Sequence, residues 1–141
     1  MTLDLIPVGP LDHVAIAVHD LEAAAERLGG PFGIGLSHRE EIATADVEVG
    51  FLELPGQTSI ELVCPLADGT PLARFLDRRG EALHHICFRV DDLVAALAVA
   101  KRAGLDLIDE TPRPGARGAL IAFLHPRSVG GLLVELKQKG E

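Results

Sequence analysis

With 141 residues, 48 % of them apolar and 24 % charged, the chain has the size and balance of one globular domain, or of two fused half-domains sharing a core, and carries no disorder signature. A net charge of −8, with no Lys/Arg cluster and no Trp or Tyr to stack on bases, excludes nucleic acid as a partner, although a local cation leaves room for a small anionic ligand. No apolar run is long enough to cross a bilayer and no basic-then-apolar leader opens the sequence, so membrane partners are excluded and a cytoplasmic location is expected.

Residues 1–8 read as a loose leader. LDHVAIAV then alternates as a strand, with Val14, Ile16 and Val18 on one face and His13, Ala15 and Ala17 on the other. Asp20 is a helix N-cap, and LEAAAERL after it is rich in strong helix formers up to Gly29-Gly30. VEVGFLEL (47–54) and SIELVCPL (59–66) are two more strands around a Pro55-Gly56 turn. Residues 71–79 suit a short helix with Pro71 at its start and Gly80 at its end. A strand over 83–90, a cap at Asp92, a helix over 93–103 closed by Gly104, and strands near 105–109, 119–124 and 131–137 complete the chain. RPGARG (113–118) reads as a loop. Cys64 and Cys87 lie inside apolar runs and suit buried free thiols of a reducing compartment.

The chain also repeats itself. Residues 11–28 align without gaps on 83–100, and seven of the eighteen pairs are identical, including Leu11/Leu83, His13/His85, Asp20/Asp92 and Leu21/Leu93. SIELV (59–63) echoes LVELK (133–137) and sets Glu61 opposite Glu135. Each half, about 10–66 and 82–138, thus supplies one His and one Glu, at separations of 48 and 50 residues. The expected fold is α+β: two tandem βαβββ modules in one 1–141 domain, forming a curved mixed sheet around a metal site with helices on the convex side.

A tetrad of His13, Glu61, His85 and Glu135 offers mixed N and O donors without thiolate, which suits a divalent first-row ion and leaves positions open for substrate. Small neighbours on the histidine faces, Ala15, Ala17 and Cys87, leave room there. Each residue also has a plainer reading. A strand His is commonly a hydrogen-bonded core residue, and an edge-strand Glu can face water. Glu61 and Glu135, however, each interrupt an apolar strand, where burial without a partner costs several kcal/mol. His84 falls on the other strand face from His85, and His19 and His38 have no counterpart in the repeat.

LDHVAIAV, IELVCPL, LHHICFRVDDL and above all IAFLHPRSVGGLLVEL carry a resemblance. Over about residues 10–138 the chain resembles the vicinal oxygen chelate (glyoxalase/dioxygenase) superfamily, and within it the methylmalonyl-CoA epimerase family. The resemblance implies a metal-dependent isomerase that removes and returns the α-proton of a coenzyme A thioester, with the metal on His13, Glu61, His85 and Glu135. It implies Glu48 and Glu135 as the opposed catalytic bases. The metal it implies is Co²⁺, with Mn²⁺, Ni²⁺ or Zn²⁺ as alternatives, in a homodimer. The HPRSVGG segment, with Arg127, Ser128 and Gly130, is a candidate holder of the substrate carboxylate; Arg127 stands where the family usually has Lys, which keeps the cation and alters its geometry. The family varies between Gln and Glu at the second ligand position, and the first helix here lacks the family's aromatic residues.

Three rivals remain open. A glyoxalase I-type isomerase would use the same His/Glu set, and HPRSVGG with Glu48 speaks for the epimerase. Ring-cleaving dioxygenases need two His and one carboxylate, so Glu61 is one ligand too many. A metal-free binding protein of the same fold would need no tetrad at all.

Overall fold

A computed structural model describes residues 5–140, so four of the eight expected leader residues lie outside the described residues; residues 5–9 form neither helix nor strand. The chain divides into two compact units, His13–His84 and the described residues before and after it, with the boundaries inside two of the strands.

The first unit contains most of β1 (Leu11–Ala17), then α1 (Leu21–Gly29), β2 (Leu36–Ile42), β3 (Val47–Glu53), β4 (Ser59–Pro65) and α2 (Pro71–Arg79). Its strands lie in the order β2-β3-β4-β1, antiparallel except for β1 beside β4. The second unit holds most of β5 (Ala82–Val90), α3 (Leu93–Arg102), β6 (Arg113–Pro114), β7 (Leu120–Leu124) and β8 (Val134–Gln138). Its order is β5-β8-β7-β6, again antiparallel except for the first strand beside the last. Each unit is therefore a βαβββ module with the same topology, as the repeat predicts.

Local chemistry accounts for the helices. The Asp20 and Asp92 carboxylates accept the amides of Ala23 and Ala95 at 2.8 and 3.1 Å, the N-cap interaction that satisfies an otherwise open N–H. Thr70 does the same for Ala73 at 3.2 Å, ahead of Pro71 in the first turn. Arg27 closes α1 and Lys101 and Arg102 close α3, each in the last turn where a cation suits the helix dipole. The apolar strand faces then bury against the helices: Val18, Leu52 and Leu62 with Leu21 and Ala24 in the first unit, and Val90, Ala122 and Leu136 with Leu93, Leu97 and Ala100 in the second.

Two elements differ from expectation. LSHREEI forms β2, whose residues alternate between half-buried and exposed, so its polar sequence gave no apolar stripe to read. Residues 105–109 form no strand. Leu107 makes one isolated bridge to Leu124, and the amides of Ile108 and Asp109 both donate to the Phe123 carbonyl, at 2.9 and 3.2 Å, which ends the ladder; the short β6 inside the expected 113–118 loop pairs with β7 instead.

Candidate functional site

In β1, His13, Ala15 and Ala17 share the face turned away from α1. The parallel register sets Ala15 beside Glu61 of β4, so His13 and Glu61 stand on one face, with Nε2 and Oε2 3.5 Å apart. On β3, Phe51 is the partner of Glu61 and turns its ring edge-on to the His13 imidazole, centroids 6.4 Å apart and planes at 85°. The second unit repeats this. Cys87 pairs with Glu135, His85 Nε2 lies 3.0 Å from Glu135 Oε1, and Phe123, the partner of Glu135 on β7, meets the His85 ring at 5.2 Å and 90°. The four imidazole and carboxylate side chains are each 4–9 % exposed. Each unit thus buries a carboxylate against an imidazole, with an aromatic ring alongside. The two phenylalanines were not singled out from sequence. Their signal is that each precedes its Glu by a hairpin's length, 51 to 61 and 123 to 135.

The donor set passes a simple fit test for a metal. Two ligands at about 2.1 Å from an ion are separated by roughly 3.0 Å at an octahedral right angle and roughly 3.4 Å at a tetrahedral one. The N···O separations of 3.0 and 3.5 Å match those spans.

Glu48 is placed elsewhere in the first unit. It pairs with Cys64 across β3 and β4, three residues beyond Glu61, and so lies on the opposite sheet face with Gly50 and Leu52. Its carboxylate accepts from Arg39 Nη2 at 3.2 and 3.3 Å, and Arg39 Nη1 reaches Glu22 of α1 at 2.7 Å. The hydrogen bond to Glu22, then those to Glu48, hold the guanidinium pKa above its usual value. Burial is the main cause that pushes the Cys64 thiol up, with the charges of Glu48 and Asp20 adding to it. Cys87 is fully buried, whereas Cys64, also expected to be buried, is half-buried; neither is in a disulfide.

The HPRSVGG segment forms a single 3-10 turn over Pro126–Ser128, capped by His125, whose Nδ1 accepts the Arg127 amide at 3.2 Å. Gly130 and Gly131 follow with φ of 79° and 90°, a region that favours glycine, and the Gly131 amide returns to the Pro126 carbonyl at 2.8 Å. The Ser128 hydroxyl accepts the Asp106 amide and Arg127 Nε donates to the Asp106 carboxylate, both at 2.7 Å, so these two side chains tie the turn down. His84 packs edge-on against Phe75, and His38 pairs with Glu40.

Sequence reasoning also passed over Asp12. It is 5 % exposed and holds Arg89 Nε at 2.7 Å and Lys137 Nζ at 3.2 Å, two cations that are register partners on the face carrying His85 and Glu135.

A duplicated βαβββ module with a buried His–Glu pair in each copy presents, in each unit, a donor pair of the kind that suits a divalent ion. The family model described as Glyoxalase/Bleomycin resistance protein/Dioxygenase superfamily matches residues 12–123, and the chain belongs to that superfamily. Its similar relatives include methylmalonyl-CoA epimerases. The ethylmalonyl-CoA/methylmalonyl-CoA epimerase of Cereibacter sphaeroides is 42 % identical over 133 residues, which cover 93 % of this chain and 98 % of the relative. The crystal structure of methylmalonyl-CoA epimerase from Mycobacterium tuberculosis is 36 % identical with a TM-score of 0.90, over 95 % of this chain and 90 % of that one. A methylmalonyl-CoA epimerase solved in complex with methylmalonyl-CoA and NH4+ is 29 % identical with a TM-score of 0.90, over 95 % and 96 % of the two chains.

Proposed function

We propose that this protein interconverts the 2R and 2S forms of methylmalonyl-CoA by removing and returning the α-proton. The observation that carries the reading is the buried His–Glu pair repeated in both units, in a chain whose relatives bear that activity in their names. His13, Glu61, His85 and Glu135 would hold a divalent ion, with Co²⁺ first among the candidates. When bound, such an ion supplies positive charge for the thioester oxygen as the enolate develops.

The chain's own residues supply the rest. Glu135 is one base, and its burial limits competition from water at the carbon that loses its proton. Ala15, Ala17 and Cys87, the small residues on the histidine faces, are proposed as the ones beside which the acyl group lies. Inversion needs a second proton donor on the other face of the enolate, and the resemblance assigns that role to Glu48. Its side chain is one-quarter exposed and paired with Arg39 on the helix side of the sheet, the face opposite Glu61. The tethered HPRSVGG turn, with Arg127, Ser128 and Gly130, lies just before β8 and is the proposed contact for the substrate's carboxylate. A cytoplasmic homodimer completes the proposal; among the described residues no helix is long and apolar enough to cross a membrane.

The test is deuterium wash-in at the α-carbon of methylmalonyl-CoA in D₂O, comparing Co²⁺-loaded with chelator-stripped protein. Rapid metal-dependent exchange with inversion is expected. Metal-loaded protein that exchanges nothing, yet isomerises the glutathione hemithioacetal of methylglyoxal, would replace this reading with the glyoxalase one.

A further inference from the structure

We propose that Arg113 is an anion-recognition residue of the substrate site, taking a carboxylate or phosphate oxygen pair of the coenzyme A thioester. This inference rests on the functional reading above and adds a residue to it.

The strand registers of the second unit set Arg113 opposite Ile121, Ile121 opposite Lys137, and Phe123 opposite Glu135. Directly opposed residues of antiparallel strands share a face, so Arg113 stands on the face that carries Phe123, Glu135 and His85. Contacts bear this out. The Arg113 guanidinium lies over the Phe123 ring at 5.4 Å from its centroid, and the same ring meets His85 edge-on at 5.2 Å. One aromatic ring therefore separates the cation from a proposed metal ligand.

The guanidinium is also fixed in place. Asp109 Oδ1 accepts from Arg113 Nε at 3.0 Å, while Asp109 Oδ2 accepts the Phe123 amide at 2.9 Å. One carboxylate thus ties the arginine to the strand beneath it, and Phe123 supports it from the ring side. Contact with a ring face uses none of the N–H donors, which lie in the guanidinium plane and suit bidentate oxygen pairs. A surface i,i+4 ion pair alone would contribute little. Here, however, the arginine side chain is two-thirds buried and the aspartate has a second partner.

Charge supplies the need. A chain with net charge −8 has to attract a thioester that carries a carboxylate and several phosphates. On this face Arg89 and Lys137 converge on the buried Asp12 carboxylate. Arg113 is the cation in ring contact with the His85 side of the face.

The experiment is calorimetric titration of Co²⁺-loaded wild type, Arg113→Met, Arg113→Lys and Asp109→Asn with two probes. Free coenzyme A carries phosphates and no acyl carboxylate. Malonyl-N-acetylcysteamine carries the carboxylate and no phosphate. Arg113→Met is expected to weaken at least one probe by about tenfold or more, with Arg113→Lys recovering part of it, because a charge-assisted bidentate contact is lost. The probe that weakens identifies the source of the anion. Arg113→Met binding both probes within twofold of wild type would overturn the inference and leave the function standing. So would equal loss of melting temperature in Arg113→Met and Asp109→Asn with unchanged affinity, the mark of a purely structural pair. Wild type that binds neither probe would overturn the functional reading itself, and the inference with it.

Discussion

Replacing Glu135 with Gln separates its two proposed roles from the single one proposed for Glu61. Glutamine keeps the volume of a side chain that is 8 % exposed and can hydrogen-bond to the imidazole now 3.0 Å from Oε1, so the fold is expected to survive. What is lost is one anionic donor and, with it, the base. General-base removal costs about 10²–10⁴ in rate, or about 3–5 kcal/mol of transition-state stabilisation. Glu61→Gln, at the matching position 3.5 Å from His13, removes only an anionic donor. Both variants should lose activity at limiting Co²⁺. With Co²⁺ raised to saturation, confirmed by bound-metal analysis, Glu61→Gln should return to within a few-fold of wild type and Glu135→Gln should remain down by the full base term. The assay is coupled turnover of methylmalonyl-CoA across a Co²⁺ titration. A Glu135→Gln enzyme within tenfold of wild type at metal saturation would refute the assignment of Glu135 as base, and two variants equally dead there would refute the distinction between the positions.

Glu48→Gln carries two readouts: the proposed second base predicts loss of most turnover with metal content intact, and the position opposite Cys64 predicts a change in thiol chemistry. The Cys64 thiol is held above the ordinary value of 9.0, first by burial and then by Glu48, so its thiolate forms only at higher pH. Its stabilising contribution is full below the ordinary value and is lost as pH rises through the raised one. The pH midpoint of Cys64 labelling should therefore move down in Glu48→Gln yet stay above 9.0, and an unmoved midpoint would show that the Glu48 charge does not act on the thiol. Gly29→Ala tests a backbone contact, because an added Cβ would run into the Ile34 carbonyl while the Ile34 amide is already bonded to the Gly29 carbonyl at 3.0 Å. A loss of about 1–3 kcal/mol in urea unfolding is expected despite the better helix propensity of alanine, and a gain would mean that the turn after α1 yields easily.

What could be read from the chain alone was set by local rules. Asp20 and Asp92 announce their helices because an N-cap needs only a short acceptor three residues before an amide. His13 and His85 could be set on helix-free faces because strand alternation has period two. Non-local register was not accessible. Glu48 was correctly grouped with Gly50 and Leu52, yet which face that group shares with Glu61 depends on how the β3–β4 hairpin closes, and the pairing of Phe51 with Glu61 assigns them to opposite faces. The strand expected at 105–109 failed for a related reason. Leu105, Leu107 and Ile108 are apolar, but the Phe123 carbonyl takes two successive amides there and Asp109 takes the Phe123 amide, so the segment packs against β7 without joining it.

The same non-local register explains why duplication alone could point to chemistry. A gapless repeat fixes His13 and His85 relative to their helix caps, because strand and helix are joined by only three residues in the first copy and two in the second. Nothing in that stretch fixes where Glu61 or Glu135 will land, since they follow their histidines by 48 and 50 positions. Yet both glutamates arrive beside the strand residue two beyond the histidine, Ala15 in one copy and Cys87 in the other, and both have a phenylalanine across the neighbouring strand. Hydrophobic packing would be satisfied equally well by Leu at either position, and burying a carboxylate instead is costly unless something compensates it. Two diverged copies that both keep the same cost at the same register argue that the carboxylates are there for what they bind.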